Sequence, residues 1–296
     1  MIGLDWGTTS LRAYRLDQAG AVRDKRDSKA GILSVKPGGF PDELRKIAGD
    51  WLEAGEKLVV IAGMAGSKQG WAEAPYLACP ADVTGIARAT LPVPFPATRV
   101  RLLPGLKARD RDGVPEVMRG EETQILGILD HLPDAEATLC LPGSHSKWVR
   151  VRGGRILDFS THMTGEVFAA LSAHTILARS LHRGAAHHPG AFAHGLDRAR
   201  QGGGLLHQLF GLRSLSLFDA MPQMEAASYL SGLLIGHEVA SALEMGVAPP
   251  VHLVGAEALT LRYAAALASF GIPSVTQEED AAARGLFQIG TAIEAG

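Results

Sequence analysis

Cysteine is scarce in this 296-residue chain, and neither sign of charge is in surplus. The two cysteines, Cys79 and Cys140, stand far apart without metal-ligand spacing and read as buried thiols in a reducing compartment. Lysine and arginine (29) nearly cancel aspartate and glutamate (31), for a formal net charge of -2. A dedicated nucleic-acid binder needs a basic excess, so that class of partner is set aside. Long apolar runs are also missing. The most apolar helical stretch, around Leu233-Leu234-Ile235, is interrupted by His237 and Glu238, well short of the ~20 apolar residues a bilayer span requires. The opening Met-Ile-Gly-Leu-Asp has neither a basic nor a long apolar leader region. No membrane partner is expected, and the expected address is the cytoplasm. What is present is a 46% hydrophobic composition, enough for one large core or for two lobes with a core each.

The apolar pattern organises the chain twice in the same way. Ile2 to Asp5, Leu11 to Leu16 and Ala21 to Arg26 predict a β-meander, with Gly7-Thr8-Thr9 as the first turn. Pro41 to Ala54 has helical spacing, Leu58 to Ala62 is an uninterrupted strand covered on both faces, and Gly63 to Tyr76 is a glycine-rich loop. A strand at Arg99 to Leu103 and a helix at Glu121 to His131 close the first half. The second half restarts with a strand at Ala137 to Leu141, a turn, and a hairpin over Lys147 to Val151 and Arg155 to Phe159. Helices follow at Gly165 to Leu181, Gln223 to Met245, Ala258 to Phe270 and Ala281 to Ile293, with a strand at Val251 to Val254. Gly232 and Gly236, four apart, predict close helix packing. Arg183 to Gly204 reads as a loop, and its His182, His187, His188 and His194 neighbourhood lacks the acids and spacing of a metal site. Two lobes are expected, 1–132 and 133–296, with the boundary near residues 132–136. Each would be a mixed sheet with helices on its faces, and a cleft would lie between the lobes.

Asp5-Trp6-Gly7-Thr8-Thr9-Ser10-Leu11-Arg12 is the sharpest chemical signal. An acid at the end of a buried strand needs hydrogen bonds or a cation. The glycine and threonines after it can offer N–H groups and hydroxyls to an anion. Together they form a cradle for nucleotide phosphates, with Asp5 placed for Mg²⁺ through water. The plainer alternative is a hairpin with an Asx-type turn. Gly120-Glu121-Glu122 supplies two carboxylates at a helix start, where acids also belong for dipole reasons.

Asp-x-Gly-Thr-Thr-x-x-Arg resembles the first phosphate motif of the actin, hexokinase and Hsp70 superfamily. Six further stretches resemble the 2-dehydro-3-deoxygalactonokinase family, in the same order along the chain. They are Gly63-Met64-Ala65-Gly66-Ser67-Lys68-Gln69-Gly70-Trp71, Glu73-Ala74-Pro75-Tyr76, and residues 117–124, 141–148, 163–166 and 229–236. The resemblance implies an α/β, duplicated actin-like ATPase (ribonuclease H-like) fold. It implies a kinase that uses ATP and Mg²⁺ to phosphorylate the 6-hydroxyl of 2-dehydro-3-deoxy-D-galactonate in galactonate catabolism. Gly7, Thr8, Thr9, Gly143 and Ser144 then bind phosphates, and Gly255 and Ala256 bind the nucleoside. Glu122, ahead of Glu121, becomes the base by similarity to the Gly-x-Glu segment of exopolyphosphatases. Arg12, Ser67, Lys68, Gln69 and Arg119 become the sugar-acid ligands, with His145 and Lys147 serving either substrate. Rival expectations are a superfamily phosphatase or ATPase and a non-enzymatic actin-like nucleotide-binding module. A homodimer is left open.

Overall fold

The computed structural model describes residues 1–132, 135–182, 184–277 and 280–296. In the first half, Ile2, Leu4 and Trp6 are fully buried, as is the whole Leu-Val-Val-Ile-Ala-Gly run of residues 58–63, so both runs become central strands. They are β1 (Ile2–Trp6) and β4 (Leu58–Gly63), paired in parallel with Asp5 opposite Ala62 and Trp6 opposite Gly63. On the other side of β1 lie antiparallel β2 (Leu11–Leu16) and β3 (Val22–Ser28). The charged β3 guards that sheet edge. Helix α1 (Phe40–Glu53) presents Phe40, Leu44, Ile47, Ala48 and Trp51 as one buried stripe. Phe40 meets the Trp6 ring at 5.2 Å.

The chain continues through β5 (Tyr76–Ala78), α2 (Val83–Arg88), β6 (Leu91–Val93), β7 (Arg99–Leu102), β8 (Gly105–Arg109), β9 (Pro115–Met118) and α3 (Glu121–Leu129). The main sheet has the order β3-β2-β1-β4-β7-β6, and a small second sheet has the order β5-β8-β9. The apolar pattern predicts neither this small sheet nor α2.

The second half contains β10 (Ala137–Leu141), β11 (Ser146–Arg152), β12 (Arg155–His162), α4 (Thr164–His174), α5 (Pro189–Ala199), α6 (Gly204–Leu217), α7 (Gln223–Met245), β13 (Val251–Leu253), α8 (Glu257–Ser269), β14 (Ser274–Thr276) and α9 (Ala281–Ala295). Its sheet runs β12-β11-β10-β13-β14. That is the order of β3-β2-β1-β4-β7 repeated, so the duplication read from element order is present in the topology.

Three expectations need correction. The segment expected as a loop at 183–204 contains helix α5, capped by His188, whose Nδ1 accepts from the Ala191 N–H at 3.0 Å, with Pro189 at its start. Its histidines serve packing: His187 lies edge-on to Phe192 and His194 edge-on to Tyr229. The helix expected over Gly165 to Leu181 stops at His174 and continues as a 3₁₀ turn, Ile176–Ser180. Lastly, the chain does not divide once near residue 132; Pro133 and Asp134 of the expected boundary lie outside the described residues. Two compact units form, one of Met1–Glu136, Val149–Phe159 and Gln277–Gly296, the other of Ala137–Trp148 and Ser160–Thr276. Helix α9 belongs to the first unit because its buried stripe, including Leu286 and Ile289, covers α3, β1 and β4. Glycines permit the contact. A Cβ on Gly127 of α3 would lie 1.9 Å from Ala281 O, and one on Gly285 of α9 would lie 1.9 Å from Thr123 O.

Candidate active site

In the first unit, the candidate residues gather at the carboxyl ends of β1 and β4, the edge where open α/β sheets bind ligands. Asp5 is half-buried near the end of β1. Burial raises its pKa, and the Arg12 guanidinium opposes the rise. Arg12 sits across the pair on β2, and its Nε lies 3.4 Å from Asp27 in an exposed ion pair. The Gly7–Ser10 turn closes through Gly7 N–H to Ser10 O at 2.9 Å. It is stitched to the following segment by Ile32 N–H to Gly7 O and Leu33 N–H to Thr8 O. A Cβ on Gly31 would fall 2.3 Å from Thr9 Cα, so only glycine admits this approach. Thr8 and Thr9 are left exposed on a braced turn.

Beyond β4, Gly63 (φ 87°) lies against Trp6, where a Cβ would meet Trp6 O at 2.7 Å. Gly120 (φ 112°) lies against Gly63 in turn, with its would-be Cβ 3.3 Å from Gly63 Cα. These two glycines bring the start of α3 to the strand ends. There the two acids turn back on the chain: Arg119 N–H donates to Glu121 Oε2 at 3.1 Å and Gly120 N–H to Glu122 Oε2 at 2.6 Å. Glu122 is completely buried and its Oε1 has no partner among the described residues. Burial first, then the neighbouring Glu121, pushes its pKa up to about 8, against the pull of the backbone donors and Arg119.

Two more buried polar atoms nearby have no partner among the described residues, Ser67 Oγ and Arg119 Nε. The Arg119 side chain is fixed by Nη2 to Ala74 O at 2.8 Å and Nη1 to Leu103 O at 3.4 Å, with its guanidinium 4.4 Å over the Tyr76 ring. A Cβ on Gly66, next to Ser67, would lie 2.9 Å from Arg119 Nη1. Buried polar groups are rarely left orphaned. Three in one neighbourhood mark a place built for a polar ligand. Lys68 and Gln69 are exposed beside it.

In the second unit, the corresponding strand ends carry Gly143–Lys147 after β10 and Gly255–Ala256 after β13. Gly255 (φ 146°) neighbours Pro142, so the two turns adjoin. Gly165 packs on the Gly143 carbonyl, and Glu166 N–H donates to Ser144 O at 3.0 Å, which ties the start of α4 to the turn. His145 Nε2 pairs with Glu166 Oε2 on the surface. Lys147 is buried, its Nζ donating to Thr161 Oγ1 at 2.8 Å. Behind it, Glu238 accepts from Trp148 Nε1 at 2.8 Å and from the Tyr263 hydroxyl at 2.6 Å, and that hydroxyl also meets Ser146 Oγ at 2.8 Å. Burial, then Glu238, keeps the Tyr263 phenol well above its ordinary pKa, so it remains a donor.

A cavity of about 410 Å³ opens between α4, α7 and α8, lined in part by Phe168, Ser172, His182, His187, Ser231 and Arg262. The motifs did not flag Glu166, Glu238, Tyr263 or this cavity. Glu166 stood in one of the family-like stretches, without a role.

A doubled 3-2-1-4-5 sheet with a hydroxyl-bearing turn after each leading strand is the actin-like ATPase fold. Two solved structures share that fold, at 13% and 12% identity. One is the activator of 2-hydroxyisocaproyl-CoA dehydratase from Clostridium difficile, solved with ADPNP, at TM-score 0.55 over 100% of this chain and 96% of that one. The other is an N-acetylglucosamine kinase assignment from Porphyromonas gingivalis, at TM-score 0.53 over 98% of both chains. Within the class, the profile of 2-keto-3-deoxy-galactonokinase matches residues 5–289, and the chain belongs to that family. A Rhizobium meliloti protein assigned as 2-dehydro-3-deoxygalactonokinase is 38% identical, covering 95% of this chain and 93% of the relative. The Escherichia coli 2-dehydro-3-deoxygalactonokinase is 36% identical, covering 91% and 90%. A crystal structure from Sinorhizobium meliloti given the same assignment superposes at TM-score 0.91 with 37% identity, covering 99% of this chain and 98% of that one.

Proposed function

We propose that this protein is a sugar-acid kinase that transfers the γ-phosphate of ATP to the 6-hydroxyl of 2-dehydro-3-deoxy-D-galactonate. The carrying observation is the buried, unpartnered Glu122 Oε1 beside Ser67 and Arg119, in a chain of this family. The acceptor hydroxyl donates to Glu122 Oε1 while its carboxylate end is met by cationic donors. Arg12, Lys68 and the free Nε of Arg119 are the cationic first-unit candidates, with the neutral Gln69 amide and the Ser67 hydroxyl beside them. Phosphoryl transfer has a loose transition state, so positioning and charge neutralisation dominate. As the acceptor oxygen bonds to phosphorus and the bond to the β-phosphate oxygen breaks, Glu122 takes the hydroxyl proton late and ADP leaves. Glu121, held to the Arg119 N–H, keeps the helix start in place.

Thr8, Thr9 and Ser144 offer hydroxyls, and Gly7 and Gly143 close backbone approach, to phosphate oxygens. His145 and Lys147 serve phosphate or acceptor. Gly255 and Ala256 take the nucleoside, and the cavity flanked by α4 and α8 suits its base, since those helices begin at the two turns. Mg²⁺ fits Asp5: the donor is a hard oxygen, and burial disfavours its ionised form more than Arg12 restores it, so a divalent ion would supply the missing counter-charge. The ion supplies charge neutralisation to the phosphates when bound. An ATP supply points to the cytoplasm as the place of reaction, within galactonate breakdown.

The test is an acceptor screen reading ADP release with Mg²⁺ and with excess chelator. ADP release that requires both a 2-dehydro-3-deoxy sugar acid and the metal is expected, with the galacto acid preferred over the gluco. Equal ATP turnover with no acceptor present would favour a hydrolase instead.

A further inference from the structure

Helix α6 buries Gln208 and Leu212 on one side. On the other, Leu206, Phe210 and Leu217 are 86%, 61% and 57% exposed, and Phe218, just past the helix, is 84% exposed. At 3.6 residues per turn, Leu206, Phe210 and Leu217 fall within a sector of roughly 40°, opposite Leu212. One exposed leucine needs no explanation, but a continuous ridge of large apolar side chains marks an interaction surface. Along one flank of the ridge runs a groove of about 380 Å³, lined in part by Gly211, Ser214, Leu215 and Tyr229. A Cβ on Gly211 would touch nothing within 4 Å, so the notch is not filled by the chain itself.

Ridge and groove lie side by side, α6 forming the ridge and one groove wall while α5 (His194, Arg198) and Tyr229 of α7 form the rest, and both are largely apolar. That is the arrangement a twofold axis needs, since each copy then offers what the other accepts. We propose that α6 docks on α6 of a second copy of this chain, the Phe210 ridge of one seated in the Gly211 groove of the other. At roughly 150–250 Å² per aromatic side chain, the four exposed residues offer on the order of 500 Å² per copy. Two copies bury about 1,000 Å² from these four residues, of which Phe218 also lines the groove, and that reaches the threshold for a specific interface. A lipid surface suits the helix less. Interfacial helices carry a basic polar face, whereas α6 contains no lysine and a single arginine, Arg213.

Sedimentation equilibrium of the full chain tests the proposal. The wild type should weigh twice the 31.2 kDa chain mass. Phe210→Lys should sediment as one chain at concentrations where the wild type is paired. Gly211→Trp, which plugs the groove and leaves the ridge intact, should do the same. Both variants should keep the wild-type melting curve and ADP release, because neither residue touches the catalytic strand ends. A wild type that stays monomeric throughout, a dimer that survives both substitutions, or monomeric wild type floating with phosphatidylglycerol vesicles overturns it.

Discussion

Glu122 is held under two opposed demands: burial favours its neutral form, and accepting a hydroxyl proton requires the ionised one. With its pKa pushed up to about 8, the ionised fraction of the free enzyme grows as pH rises through that value. We therefore expect kcat/KM for the acceptor to climb with pH to a plateau above about 8. Glu122→Gln should remove that limb and lower turnover by about 10²–10⁴-fold, the usual range for loss of a general base. Glu121→Gln should cost less; steady-state ADP release across pH checks both, and the reverse order would move the base to Glu121. Stability runs the opposite way. The group's ordinary value is 4.5, so the folded state holds a proton that the unfolded chain releases above it. This contribution is whole below about 4.5 and lost as pH rises through about 8, and Glu122→Gln should flatten denaturation midpoints across that window. Asp5→Asn keeps size and shape but loses the charge. It should cut transfer at least about 10²-fold, as loss of a preorganised electrostatic group does, with an unchanged circular dichroism spectrum; turnover near wild type would take Asp5 out of the mechanism.

At the scale of elements, glycine decides where helices may touch. A Cβ on Gly195 of α5 would sit 2.1 Å from Tyr229 O, and one on Gly232 of α7 would sit 2.1 Å from Phe192 O. Gly232→Ala should destabilise by about 1–3 kcal/mol or more, because backbone cannot retreat as a side chain can. Gly49→Ala on α1 is the contrasting case: nothing lies within 4 Å of the added carbon, and it should stabilise by about 0.4–1 kcal/mol. Urea midpoints of the two variants should move in opposite directions. These contacts also explain what was legible in the sequence. β4 is a continuous apolar run, β10 is apolar but for Thr138, and α7 has the bounds its pattern predicts, Gln223–Met245. Helix α5 was not legible, because the small residues that let it lie against α7 are the same ones that mimic a loop. At the site, the turns at Gly7–Thr9 and Gly143–Ser144 could be read because each follows an apolar strand. Glu122's burial could not, since an acid at a helix start looks like a dipole partner whether it faces water or not. Nor could the tethering of Arg119 to Ala74 O and Leu103 O, which depends on segments distant in sequence.

For the whole molecule, the instructive element is the last helix. Sequence order assigns α9 to the second half, yet it covers α3, β1 and β4 of the first unit. Its Leu286 and Ile289 are fully buried; at roughly 1.5–3 kcal/mol per large side chain, they contribute about 3–6 kcal/mol. A typical domain is stable by only about 5–15 kcal/mol. Leu286 also packs against Gly3 of β1, where a Cβ would lie 3.1 Å from it, so α9 backs the strand that carries Asp5. A chain that stops at Asp280 should therefore lose the cooperative unfolding of the first unit, and its α1 and α3 should be cut early in limited proteolysis. The second unit, which contains helices α4 to α8 but not α9, should retain its resistant core. Mass spectrometry of the fragments distinguishes the outcomes. If the shortened chain resists cleavage in α1 and α3 as the full one does, α9 is a dispensable appendage and the burial of Leu286 and Ile289 contributes far less than their area implies.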